Sequence, residues 1–242
     1  VTLKVHAHPL LERRGRNLHA TVPVPLARAI LGGPVHVPTA GMSFLPLVFG
    51  WPVFLFPVHI VFLEFVIDPA CSIVFEAERE EDDVMLRPPR DQGAPLFSAS
   101  LMATSVLQGI CVLFAVGMFF VSLLWMGVPE TEVRAATFMA LVVSNFGLIM
   151  VNRSFGTSIV AALMDPNRAF WLMFAATMML LSAALFIAPI RELFHFGPVR
   201  TTVIGFAIGI GFAVMLILEF LKKMGLGPVP VAEHAKKNPL RS

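Results

Sequence analysis

The chain has 242 residues, of which 57% are hydrophobic and 14% charged, with mean hydropathy +0.79 and net charge +2. A soluble domain carries roughly 25% charged residues, so a soluble fold cannot hide this much apolar surface. The small, scattered positive charge points away from nucleic acid. The two cysteines, Cys71 and Cys111, sit in apolar runs outside any CxxC pattern and read as inert buried thiols rather than a disulfide framework.

In chain order, residues 1–34 place charges ahead of any apolar run and show no apolar core followed by a cleavage site, so they are not a secretory signal peptide. They are expected to form an atypical N-terminal segment outside the fold. From Ala29 to Leu63 no Asp, Glu, Lys or Arg occurs, and the Gly50-Trp51-Pro52 break divides this stretch into a first span near Val35–Phe49 and a second near Val53–Phe75. Pro38 and Pro46 predict that the first is short or kinked. The acidic run from Glu76, ending in Arg87-Pro88-Pro89-Arg90, predicts an aqueous loop. A third span follows near Ser100–Met126, stopped at Gly127-Val128-Pro129. A fourth fits between Arg134 and Arg153, a fifth between Arg168 and Arg191, and a sixth between Arg200 and Glu219. Each uncharged gap is close to the length of about 20 apolar residues that crosses a bilayer as a helix. The expected fold is an all-α polytopic membrane helix bundle of about six transmembrane helices over residues 35–223, with 224–242 as a disordered cytoplasmic tail.

If the six spans alternate, one side collects fifteen Lys and Arg and the other three, Arg134, Arg191 and Arg200. The positive-inside rule makes the rich side, with both termini, cytoplasmic, and the expected location is the plasma membrane.

Within the spans, Glu64 and Asp68 are the acidic residues in mid-run. Four apart, they share one helix face. Ionisable groups inside a bilayer are expensive and mark ion paths, proton relays or paired charges. Pro69 removes a backbone hydrogen bond and releases the carbonyl four residues back, that of Phe65. Two carboxylates beside loosened backbone suit a hard cation such as calcium, which takes six to eight oxygens. The pair is thus a candidate metal site, the alternative being a protonated carboxyl pair that only joins helices. His36, Gln108 and Asn145 are candidate additional ligands, Gln108 and Asn145 more readily read as interhelical contacts and His36 at least as readily as a satisfied core histidine.

The stretch PVHIVFLEFVIDPACSIVFEAE, followed by MLRPPR, resembles the sixth transmembrane helix and following loop of calcium-type and related bacterial cation-transporting P-type ATPases. The resemblance runs from about His36 to Lys223 and takes in the HVPTAGMSFLPLVFGWP hairpin. It implies that Glu64 and Asp68 match ion-binding positions, and that His36 matches a ligand-bearing place in the preceding helix. The cargo is then Ca2+ or another hard cation, with ATP and Mg2+ belonging only to the complete parent protein. Nothing here resembles the DKTGT phosphorylation motif, the TGE motif, the nucleotide-binding domain or the proline-broken fourth helix. The chain is therefore expected to be no enzyme as it stands. As such a fragment it would have the lipid bilayer, the cation and a complementary ATPase half as partners. A self-standing secondary cation or proton carrier, or a non-transporting membrane scaffold, are the competing readings; a second acidic-proline span, which an internal repeat would give a carrier, is not seen after residue 100.

Overall fold

A computed structural model describes residues 11–14, 17–20, 33–78, 99–153 and 167–226, with side chains over 37–78, 102–153 and 167–224. The Pro88-Pro89 loop, most of the acidic run, the 154–166 connection and nearly all of the C-terminal tail lie outside the described residues. In the N-terminal segment, β1 (Leu11–Arg14) pairs antiparallel with β2 (Asn17–Ala20), Leu11 opposite Ala20.

The membrane part is the expected all-α bundle. It consists of α1 (Gly33–Phe49), α2 (Pro57–Phe62), a π turn over Leu63–Ile67, α3 (Asp68–Glu76), α4 (Ala99–Trp125), α5 (Glu130–Arg153), α6 (Arg168–Phe186), α7 (Ala188–Leu193) and α8 (Thr201–Leu221), the last ending in a π turn over Lys222–Leu226. Among the described residues five stretches are long and apolar enough to cross a bilayer: Pro57–Glu76, Met102–Trp125, Glu130–Arg153, Arg168–Phe186 and Thr201–Met224. The first expected span is a shorter apolar helix, Val37–Phe49, with Pro38 and Pro46 inside it. The fifth stops at Phe186, short of Arg191. Ile187 leaves helical geometry at ψ 114°, and Pro189 opens the separate short helix α7.

Two helix ends, at Gly127 and His195, share one pattern. At Gly127 (φ +70°) the Val128 N–H reaches the Leu123 carbonyl at 3.1 Å and the Gly127 N–H the Leu124 carbonyl at 3.0 Å, a left-handed cap that turns α4 back along α5. His195 (φ +52°) closes α7 the same way, with Phe196 N–H to the Arg191 carbonyl at 3.0 Å and His195 N–H to Glu192 at 2.9 Å. A left-handed residue other than glycine costs about 1–2 kcal/mol, which the surrounding contacts must offset.

Helix α5 is the centre of the molecule, buried along nearly its whole length, whereas the other four spans are mostly exposed on the bundle surface. Helix α8 lies along it through small residues. A Cβ placed on Gly211 would stand 2.8 Å from Val143 Cβ, and one on Gly147 3.3 Å from Met215 Cβ. Small residues at such crossings let backbones approach where lipid gives no hydrophobic drive.

Candidate functional site

The two mid-span carboxylates flank an irregular turn. Glu64 lies in the π turn and is exposed on the surface of the chain beside Phe65, which is 77% exposed; Asp68 caps the turn and is half-buried. The Asp68 N–H bonds to the Leu63 carbonyl, five residues back. Pro69, which has no N–H, cannot continue that wider pattern toward the carbonyl of Glu64. The spacing of a regular helix pointed instead to Phe65, one residue further along; the π turn is the physical reason for the shift. Single π turns inside α-helices recur at functional sites.

One stripe of α5 faces this span. Arg134, Phe138, Asn145 and Asn152, spaced by four, seven and seven, lie on one helix face, and the contacts at both ends show what it faces. Phe138 meets Phe62 with ring centroids 5.4 Å apart, and Arg153 meets Glu78 at 2.6 Å. The numbering offset is 76 at one end and 75 at the other, so α5 runs parallel to the span, with Asn145 within a turn of Asp68. Asn145 is fully buried, and neither its amide nitrogen nor its amide oxygen has a hydrogen-bond partner in the protein. An unpaired buried polar group costs about 1–3 kcal/mol.

The remaining candidates stand at the same height. Gln108 is 5% exposed and lies 19 residues before Gly127, as Phe146 lies 19 after it, which sets Gln108 level with Asn145 across the α4–α5 hairpin. Helix α1 is pinned to α4 where Gly41 meets Leu113 and Met42 meets Gly117. Five residues back along both helices, His36 is level with Gln108, though its side chain is outside the described ones. Among the described residues no three His, Cys, Asp or Glu converge as a metal-ligating group. The two carboxylates of the candidate site are Glu64 and Asp68.

Both ends of the carboxylate span are fastened by residues that the sequence reading passed over. At the α2 end, buried His59 accepts the Phe56 N–H on Nδ1 at 2.9 Å; its proton therefore sits on Nε2, which donates to the Phe194 carbonyl at 2.8 Å. Phe138, Phe194 and Phe196 surround the ring, Phe196 stacked at 4.9 Å. Arg134 joins the same cluster, donating to the His195 carbonyl at 2.9 Å and the Val53 carbonyl at 3.2 Å with its guanidinium 4.6 Å from the Phe56 ring centroid. At the α3 end, Glu78 Oε2 accepts from Arg153 Nε at 2.6 Å and from Asn167 Nδ2 at 3.0 Å. Asn167 also donates to the Val74 carbonyl at 3.2 Å and caps α6 by accepting the Phe170 N–H at 2.9 Å. Arg134 and Arg153, read from sequence as charges flanking spans, are buried donors, 8% and 6% exposed.

A family model described as "Cation transporting ATPase, C-terminus" matches residues 52–224, which takes in both carboxylates, Gln108 and Asn145 and leaves His36 outside. Two curated chaperones are similar over a short stretch. Chaperone protein DnaJ of Methylibium petroleiphilum is 44% identical over 41 residues, 17% of this chain and 11% of the relative. Chaperone protein DnaJ 1 of Streptomyces avermitilis is 56% identical over 41 residues, 17% of this chain and 10% of the relative. The chain thus spans about a tenth of the length of these two relatives.

Proposed function

Because the chain belongs to the cation-transporting ATPase C-terminal family, and so forms membrane structure of such a pump, we propose that it supplies half of a hard-cation site, Glu64 and Asp68 with Asn145, to an ATP-driven translocase. The observation that carries the reading is the unpartnered, fully buried Asn145 amide at the height of Asp68. Gln108 and His36, at the same height, are further donors. Exposed Glu64 marks the face on which a complementary ATPase half completes the coordination. Calcium is the first cation to test, because its six to eight oxygens exceed what these side chains offer and it tolerates irregular geometry.

In this reading the ATP chemistry belongs to other domains or to a partner chain. The chain alone is expected to form no acyl-phosphate, and acid-stable labelling by radioactive ATP would contradict that. Residues 1–34 lie outside the family match and are read as no part of the membrane fold. Deleting residues 1–34 should leave membrane insertion unchanged.

The test of the site is cation transport by the chain fused to, or co-expressed with, the phosphorylation and nucleotide-binding half. Asp68→Asn and Glu64→Gln keep shape and an oxygen but lose charge, and each should weaken the apparent cation affinity by about tenfold or more, the effect of ~1.4 kcal/mol. Asn145→Leu should weaken it too. Undiminished transport with both carboxylates replaced would make the pair purely structural.

A further inference from the structure

We propose that Arg153, Glu78 and Asn167 are positioning residues for Asp68, and that the carboxylate span is two separately anchored halves meeting at the π turn. The half carrying Asp68 is α3, a continuous helix from Asp68 to Glu76 that ends two residues before Glu78. Its end is fixed by the shared Glu78 Oε2, on which Arg153 of α5 and Asn167 at the start of α6 converge. The Arg153 side chain is 1% exposed, so neither lipid nor water competes strongly for it. Asn167 adds a second hold one turn earlier, on the Val74 carbonyl. A helix transmits an axial shift along its length, whereas the π turn holds an extra residue that can be absorbed or released. The brace at Glu78 therefore sets where Asp68 stands against Asn145. On the other side of the π turn, α2 is fastened independently by His59 to the Phe194 carbonyl and by Phe62 against Phe138. Glu64, inside the turn, lies between the two anchors. The separation of the carboxylates is thus the quantity that relative movement of the two halves changes.

The anchoring stands on these contacts alone; the effect on a cation rests on the proposed function. Two measurements on the full chain in lipid nanodiscs separate them. The first reads spin-label distances after both native cysteines are replaced by alanine. One pair is Ile73→Cys on α3 with Phe212→Cys on α8, the other Ile60→Cys on α2 with the same Phe212→Cys; all three positions are exposed. Glu78→Gln should shift or broaden the α3 pair and leave the α2 pair unchanged, Arg153→Gln should do the same, and His59→Leu should give the reverse. If Glu78→Gln moves both pairs or neither, the two-anchor proposal is overturned. The second titrates Mn2+ by its own electron resonance signal. Glu78→Gln should weaken binding about tenfold in the Glu64→Gln background and have no effect in the Asp68→Asn background, because coupling is expected only between residues that act together. Equal losses in both backgrounds would make the brace generally structural and refute positioning. Absence of Mn2+ binding by the unmodified chain would count against the half-site reading and against positioning for a cation, while the distance measurement still decides the anchoring.

Discussion

Arg134 shows how much one charged side chain can organise inside an apolar bundle. Its guanidinium joins the carbonyls of Val53 and His195, two connections more than 140 residues apart, over the Phe56 ring. Replacing it with methionine keeps the bulk and removes the donors, so Arg134→Met is expected to cost about 1–3 kcal/mol, read as a lowered unfolding temperature in detergent. Arg134→Lys should recover only part of the loss, since an ammonium lacks the planar fork that reaches two carbonyls at once. The sequence displayed the carboxylates plainly, because Glu64 and Asp68 interrupt an apolar run. Asn145 was legible as a polar residue in a span, yet its height within a turn of Asp68 was not. That position follows from contacts at Phe138 and Arg153, which lie seven and eight residues away on α5. Glu78 and Arg153 were hidden for a different reason: a charge at the end of an apolar run looks the same whether water or a buried partner receives it.

At the scale of elements, the α5–α8 contact makes the sharpest demand on side-chain size. A Cβ on Gly211 collides with Val143 Cγ1 and stands 3.3 Å from the Val143 backbone carbon, so little room remains for the helices to slide. Gly211→Leu should destabilise the bundle by about 1–3 kcal/mol, the usual cost of overpacking. Gly211→Ala combined with Val143→Ala should recover most of the wild-type unfolding temperature; if the double variant is no better than Gly211→Ala alone, the crossing is not limited by this pair. Hydropathy located the helices, because apolar length is a sum over residues and needs no knowledge of neighbours. It did not locate the π turn, since Pro69 weakens a helix identically in α or π geometry. Nor did it find the stop at Ile187, where the chain is still apolar and only the backbone changes direction.

Over the whole molecule, the family match covers residues 52–224 and the bundle adds α1 (Gly33–Phe49) ahead of it. If both termini are cytoplasmic, as the charge count predicts, a cysteine introduced at Pro88 should resist an impermeant maleimide applied to intact cells and react after permeabilisation; labelling before permeabilisation would invert the topology. If the proposed site is shared with a second polypeptide region, only one half of its pattern can be read in this chain. The burial of α5 has a consequence for synthesis. It is less apolar than α4 and carries Glu132, Arg134, Asn145, Asn152 and Arg153, yet it emerges from the ribosome before α6 and α8 exist to cover it. Charged residues near a helix centre oppose insertion by about 2.5–3.5 kcal/mol each, less toward the ends, so α5 must enter the bilayer riding on α4 through the tight Gly127 turn. It must then wait with its polar stripe shielded by earlier helices or by the insertion machinery. A nascent chain stopped near residue 167 would leave the Val143–Gly147 face of α5 without α8 against it, so the most central helix of the finished protein also depends on what is made after it.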